Sequence, residues 1–366
     1  MSTLSSSTGI IAPGDLSDFI LKNMSRYKIS YTDDAGKKHE ITKQNFMRSP
    51  VTVFAEGISI DGNAQVDSFT EKEFKKFGLT ATEIKGLRFV SKNEGKFNAI
   101  NSYDTAIFSY GFIQMAGGGR SFHKFLWALK KDDEVAFHAN FGKYGIDVIY
   151  DTDSKKYTTA VMNSTTGSIL YGTDAEKHLK NDPRFLSVFM KAGHNKKVQN
   201  AQLSVASNEY VKPMRYETFV KTKAILVIKL KKDKSETTYV GTEADEFKKS
   251  ATYISEKKNG NIIESSYDIS GQTISDYWSG AKSVTAMIDR SIHQGRGGAK
   301  NLFTKATVKF IIKEKMQSLE KLKTAPESKF LPVLKETLGV VIKGEGDAKN
   351  AKDRIQKIID NSGLSW

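Results

Sequence analysis

A mainly helical α+β fold is the class this sequence predicts, on three observations. Two Thr-x-x-Glu spacings, Thr70 with Glu73 and Thr80 with Glu83, match the capping box that opens helices. The segment from Asp276 onward reads as successive amphipathic helices broken by Gly295, Pro326 and Gly344. Two other stretches, 27–60 and 217–270, are rich in Val, Ile, Thr and Tyr and punctuated by turn residues.

The chain has 366 residues, of which 39% are hydrophobic and 10% aromatic, with six prolines. That suffices for one large domain or two ordinary ones and excludes a disordered chain. Cysteine is absent. A disulfide scaffold, a thiolate metal site, a cysteine nucleophile and an iron–sulfur cluster are therefore excluded, while the redox compartment stays open.

Taken in order, residues 1–69 form an N-terminal extension or small module. A Ser/Thr-rich lead ends at Pro13-Gly14, and Asp15 caps a short helix through Phe19, Ile20 and Met24. Tyr27, Ile29 and Tyr31 alternate as in a strand, and Asp34-Ala35-Gly36 signals a turn.

Residues 70–212 hold the core. The helix after Thr80 places Ile84, Leu87 and Phe89 or Val90 on one face and stops at Glu94-Gly95, since glycine is the usual terminator. A polar, aromatic stretch runs to Gln114, followed by Gly117-Gly118-Gly119. Helices are expected at 121–130 and 133–144, and two more within 182–212 from Asp182-Pro183. Residues 213–275 read as a β-rich insertion, with Asn259-Gly260 as a hairpin signal. In 276–366, helices are expected at 276–293, 298–323, 326–342 and 348–361, either completing the preceding core or forming a separate bundle.

The formal charge of +14 and pI near 9.4 favour polyanionic partners: nucleic acid, anionic lipid or an acidic wall polymer. No apolar run approaches the roughly 18 residues a membrane span needs. Met1 to Ile11 lacks a basic start and an apolar stretch, so no secretory signal is expected.

The chemistry concentrates in 93–114. Glu94 ends an apolar helix, where loss of hydration raises a carboxyl pKa toward that of a general acid. Asp104 follows in a polar loop and suits a base or a charge stabiliser across a sugar. Tyr103, Phe108 and Tyr110 offer stacking faces, and Asn98, Asn101, Ser109 and Gln114 offer bonds to hydroxyl and acetamido groups. Gly111 and Gly117–Gly119 allow close backbone approach.

The order Glu94-Gly-Lys-Phe97-Asn98-Ala, then Ser109-Tyr-Gly111-Phe-Ile-Gln114, resembles the lysozyme-like glycoside hydrolases. Lytic transglycosylases and goose-type lysozymes carry a Glu-Ser/Gly-x-Phe-Asn and a Ser-x-x-Gly-Leu-Met-Gln-like segment. Tyr103-Asp104-Thr105 is similar to the Tyr-x-Asp-Thr of phage-type lysozymes, with Tyr directly before Asp and one residue more between Glu and Asp. The resemblance implies a lysozyme-like catalytic domain, Glu94 and Asp104 as catalytic residues, and Asn98, Tyr103, Thr105, Ser109, Tyr110 and Gln114 as substrate-binding residues. Met287 to Gly295, with Asp289 and His293, is similar to a helix of chitosanases in the same superfamily. A simple i,i+4 pair on one helix face is the favoured reading of those two residues.

The six histidines show no metal-ligand spacing, Gly117–Gly119 lacks a following Lys-Ser/Thr, and no Gly-x-Ser-x-Gly is present. No metal and no cofactor is expected. Gly295-Arg296-Gly297-Gly298 reads as an anion-binding helix start or a plain interhelical turn. Three functions stay open. The first is a peptidoglycan-cleaving muramidase or lytic transglycosylase, synthesised in the cytoplasm without a signal peptide and acting at the cell wall after lysis or delivery, as a phage lysin or an injection-system toxin. The second is a chitosanase-like hydrolase, disfavoured because a protein at +14 repels a polycation. The third is a non-catalytic basic component of a virion or injection machine. Nucleic acid is an unlikely partner, because the lysine-rich stretches read as solvated helix and strand faces.

Overall fold

The computed structural model describes residues 28–32, 36–42, 51–53, 57–103, 105–118, 121–153, 155–163, 165–222, 225–231, 234–240 and 242–366. The expected helix at Phe19–Met24 lies outside them. The architecture is mixed and mainly helical, in line with the expected class. The chain divides into two compact units: Met1–Gly78 with Val90–Asn208, and Leu79–Phe89 with Glu209–Trp366. Among the described residues no helix is long and apolar enough to cross a membrane.

The first unit opens with an antiparallel pair, β1 (Lys28–Thr32) and β2 (Lys38–Thr42), in register Lys28↔Thr42. Strands β3 (Val51–Val53) and β4 (Ile58–Ile60) follow, then helix α1 (Glu71–Lys75). Helix α2 (Ala81–Glu94) comes next in the chain; its residues through Phe89 belong to the second unit and those from Val90 to the first. Both capping boxes form. Thr70 N donates to Glu73 Oε2 at 2.6 Å and Thr80 N to Glu83 Oε2 at 2.7 Å, and each threonine Oγ1 accepts from its glutamate N–H at 3.3 Å. Short strands β5 (Ile100–Asn101), β6 (Ser109–Tyr110) and β7 (Met115–Ala116) complete an antiparallel sheet ordered β3-β4-β5-β6-β7. Helices α3 (Ser121–Asp132) and α4 (Glu134–Asn140) follow.

The sequence reading assigned no element between 145 and 181. The structure places there a second antiparallel sheet, β8 (Ile146–Asp151), β9 (Lys156–Met162) and β10 (Ile169–Tyr171), and helix α5 (Gly172–Asn181). Helices α6 (Pro183–Ala192) and α7 (Lys196–Val205) follow, α6 capped by Asp182 with Pro183 in its first turn. The core is aromatic: Phe108, Tyr110, Phe122 and Phe141 surround Phe189 at ring-centroid distances of 4.9 to 5.6 Å, and Phe97 packs on Phe112 at 5.1 Å.

The second unit contains strands β11 (Ile225–Leu230) and β12 (Glu236–Val240), helices α8 (Thr242–Lys249) and α9 (Ala251–Lys258), and strand β13 (Ile262–Tyr267). The antiparallel order is β12-β11-β13, so central β11 is buried while β13 is largely exposed. Asn259-Gly260 is not a hairpin turn but the end of α9. Gly260 has φ +66, its N–H donates to Lys257 O, and Asn261 N–H donates to Glu256 O. The same φ > 0 requirement that makes Asn-Gly a hairpin signal also makes it a helix stop.

Helix α10 (Ala281–Lys313) is kinked at Gly295, whose φ of +70 is non-helical. It ends ten residues before the expected 323. Lys315 turns with φ +52, and the separate helix α11 (Leu319–Lys323) starts at a Ser318 cap. Helices α12 (Glu327–Val341) and α13 (Glu345–Asp360) close the unit. Trp278 anchors this core. It stacks on Phe330 at 3.7 Å and donates its indole N–H to Thr307 Oγ1 at 2.9 Å.

Candidate functional site

Glu94 is the last residue of α2 and is half-buried. Helix termination there depends on Gly95, whose φ is +154. A Cβ at Gly95 would lie 2.6 Å from Ala99 Cβ and 3.3 Å from Gln114 Nε2, so only glycine lets the chain turn this tightly beside Gln114. The two segments of the motif are thus adjacent in space, although 19 positions separate Gly95 from Gln114.

Hydrogen bonds fix the arrangement. Gly111 N donates to Ala99 O at 2.8 Å, and Gly111 O accepts from both Gln114 N (3.0 Å) and Gln114 Nε2 (2.9 Å). Gln202 of α7, fully buried, donates from Nε2 to Phe97 O at 2.8 Å and accepts from Phe112 N at 3.3 Å. One side chain therefore ties both halves together. A Cβ at Gly111 would meet Gln202 Oε1 at 2.2 Å, which accounts for the glycine.

The backbone here is strained at two non-glycine positions. Ile107 has φ +67 and sits in a tight turn in which Phe108 N donates to Ala106 O at 2.7 Å. Gln114 has φ +50. For a β-branched residue such a φ is a real outlier, and strain of this kind gathers at functional sites. Gln114 Oε1 is buried with no hydrogen-bond partner among the described residues.

The proposed binding residues divide. Tyr103 (36% exposed) and Thr105 lie at the surface, and Tyr103 N donates to Asn101 Oδ1 at 3.2 Å. Gln114 is half-buried. Asn98, Ser109 and Tyr110 face the interior, with Asn98 and Tyr110 fully buried and Ser109 at 2%. Tyr110 donates its hydroxyl to Phe189 O at 2.8 Å, and its ring, like that of Phe108, packs in the aromatic core. Asn98 Oδ1 accepts from Asn63 N and Ala64 N at 2.8 and 2.9 Å, and its Nδ2 reaches Asn63 Oδ1, so it holds the loop at 63–64. Asp104 lies outside the described residues.

Sequence reasoning missed two buried polar groups. In the first unit His123 Nε2 lies 3.1 Å from Glu176 Oε1, and His123 Nδ1 lies 2.6 Å from Thr159 Oγ1, all three residues being buried. A Cβ at Gly117 would meet the Glu176 carboxylate at 2.5 Å, so this group accounts for the glycine at 117. In the second unit Asp289 is held between Arg290 and Arg354, whose Nε atoms donate at 2.8 and 2.9 Å. Burial pushes the Asp289 carboxyl up, but the two guanidiniums outweigh it and hold the group below the usual carboxylate range. The His293 contact expected at i,i+4 is the longer one, 3.8 Å. Only the oddity of Asp-Arg on an apolar helix face signalled this group, because Arg354 is 65 positions away.

No protein-family model matches this chain, and no curated protein and no solved structure matches it.

Proposed function

We propose that this protein cleaves the glycan backbone of peptidoglycan, as a muramidase or a lytic transglycosylase, with Glu94 as proton donor. The observation that carries the reading is the convergence in the first unit of the Glu94-Gly95 helix end with Gln114, through Gly111 and Gln202. A carboxyl at the C-terminal end of a helix stands at the negative pole of the helix dipole, which favours the neutral acid over the carboxylate. A neutral acid is what protonation of a glycosidic oxygen requires. Gln114 Oε1, a buried acceptor without a partner among the described residues, suits a sugar hydroxyl or acetamido N–H.

In this reading the acid protonates the leaving oxygen, and water or the sugar's own 6-hydroxyl attacks the anomeric carbon. Asp104 assists as base or charge stabiliser in the water route, and Tyr103 and Thr105 contact the glycan from the surface. The basic chain, at +14, is attracted to an anionic wall. A lysin or a delivered wall toxin acts in that setting. The test is digestion of purified sacculi by the full chain, with mass analysis of products. Reducing ends mean hydrolysis, anhydro-muramyl ends mean transglycosylation, and an absence of products overturns the proposal.

A further inference from the structure

The second unit contains a pocket of about 280 Å³ between kinked α10 and α13, lined by Arg290, His293, Gln294, Asp347, Asn350 and Arg354. Its construction starts from two glycines. Gly295 (φ +70) breaks the helix immediately after Gln294. A Cβ at Gly298 would lie 2.7 Å from Gln294 Cβ, so glycine there leaves Gln294 its position.

The pocket pairs a donor with an acceptor. Arg290 is 2% exposed and spends Nε and Nη2 on Asp289 Oδ2. Its Nη1 makes no hydrogen bond among the described residues and is not among their buried unpartnered atoms, so it retains access to solvent. Gln294 Oε1 is the opposite case: buried, an acceptor, and without a partner among the described residues. Buried polar atoms are satisfied in the great majority of cases, so this one calls for an external donor. A guanidinium edge held rigid by a buried carboxylate is suited to a carboxylate oxygen. The volume is near the lower end for small-molecule sites, which run from roughly 300 Å³ upward.

We infer that this pocket binds a small carboxylic acid that also carries a hydroxyl or amide donor, of the size of one acidic sugar. The acid meets Arg290, and the donor meets Gln294 Oε1. Asp347 and Asn350, both exposed, form the mouth. The readout is binding and not glycan cleavage, so failure of this inference is distinguishable from failure of the proposed function.

Calorimetric titration of the full chain tests it. N-acetylmuramic acid is the probe. N-acetylglucosamine lacks its carboxylate, and inorganic phosphate is an anion of different shape. The acid is expected to bind at least about tenfold more tightly than the neutral sugar, since a charge-assisted bond is worth roughly 1.5–3 kcal/mol. Gln294→Leu is expected to weaken the acid about fivefold, the loss of one neutral hydrogen bond of roughly 1 kcal/mol. Should that variant fail to fold, Asn350→Trp fills the mouth from an exposed position and is expected to abolish binding. Equal affinity for both sugars, phosphate binding as tight as the acid, or unchanged affinity in the folded variants overturns the inference.

Discussion

Replacing Gly95 by alanine probes the packing that presents Glu94. The added methyl would stand 2.6 Å from Ala99 Cβ and 3.3 Å from Gln114 Nε2, with φ at +154. Overpacking of this kind costs about 1–3 kcal/mol. Holding a non-glycine residue in a glycine-only backbone region adds another 1–3 kcal/mol or so. The expected destabilisation is therefore about 3 kcal/mol, or roughly 6–12 °C in melting temperature for a unit of this size. Gly167→Ala is the control. Its φ is +70 but nothing lies within 4 Å, so only the backbone cost of about 1–2 kcal/mol applies. Differential scanning calorimetry of both variants reads the difference. Glycan-cleaving activity of Gly95→Ala, measured below its melting transition, should drop more than tenfold, since the methyl drives Glu94 and Gln114 apart. If Gly95→Ala melts with Gly167→Ala and retains activity, the proposed apposition of the two motif segments is wrong.

Two further predictions concern the buried polar groups. His123→Leu leaves Glu176 Oε1 without its buried partner and should cost about 1–3 kcal/mol, most of it recovered in the double variant with Glu176→Leu; an additive double mutant would show the pair to be uncoupled. Asp289 and Glu83 are both held below the usual carboxylate range: burial works against it, and Arg290 with Arg354, and Arg215, respectively, prevail. A depressed folded pKa contributes stability above the unfolded value of about 4, lost as pH falls through the folded value, because the unfolded chain takes up the proton first. Melting temperature should therefore decline below about pH 4, and less steeply in Asp289→Asn; a flat profile down to pH 3 would contradict the assignment.

The parts of the fold legible in the sequence are those with local causes. Both capping boxes, the Asp182-Pro183 helix start and the breaks at Gly295 and Gly344 are decided within four or five residues, and each forms where the spacing places it. The sheet of β8–β10 went unread because its strands are only half covered: Val148 and Val161 are buried by α3 and its neighbours, while Tyr150 and Tyr157 remain half-exposed beside Trp127. Asn259-Gly260 misled because hairpins and helix ends share one backbone requirement.

In the candidate site, residue types pointed to Glu94 and Gln114, yet could not separate Tyr103 at the surface from Tyr110 in the core. Both are tyrosines in a polar stretch, and only the register of β6 against β5, Tyr110 opposite Ile100, turns one inward. Gln202 was invisible for a different reason. Its bonds to Phe97 O and Phe112 N close across about ninety or more residues, beyond any local pattern.

The most direct measurement of the central claim is the product spectrum of purified sacculi treated with the wild-type chain and with Glu94→Gln at matched thermal stability. Soluble muropeptides released by the former and absent with the latter are the predicted result. Release by both in equal yield would take the proton donor's role from Glu94, and release by neither would remove the glycosidase reading itself.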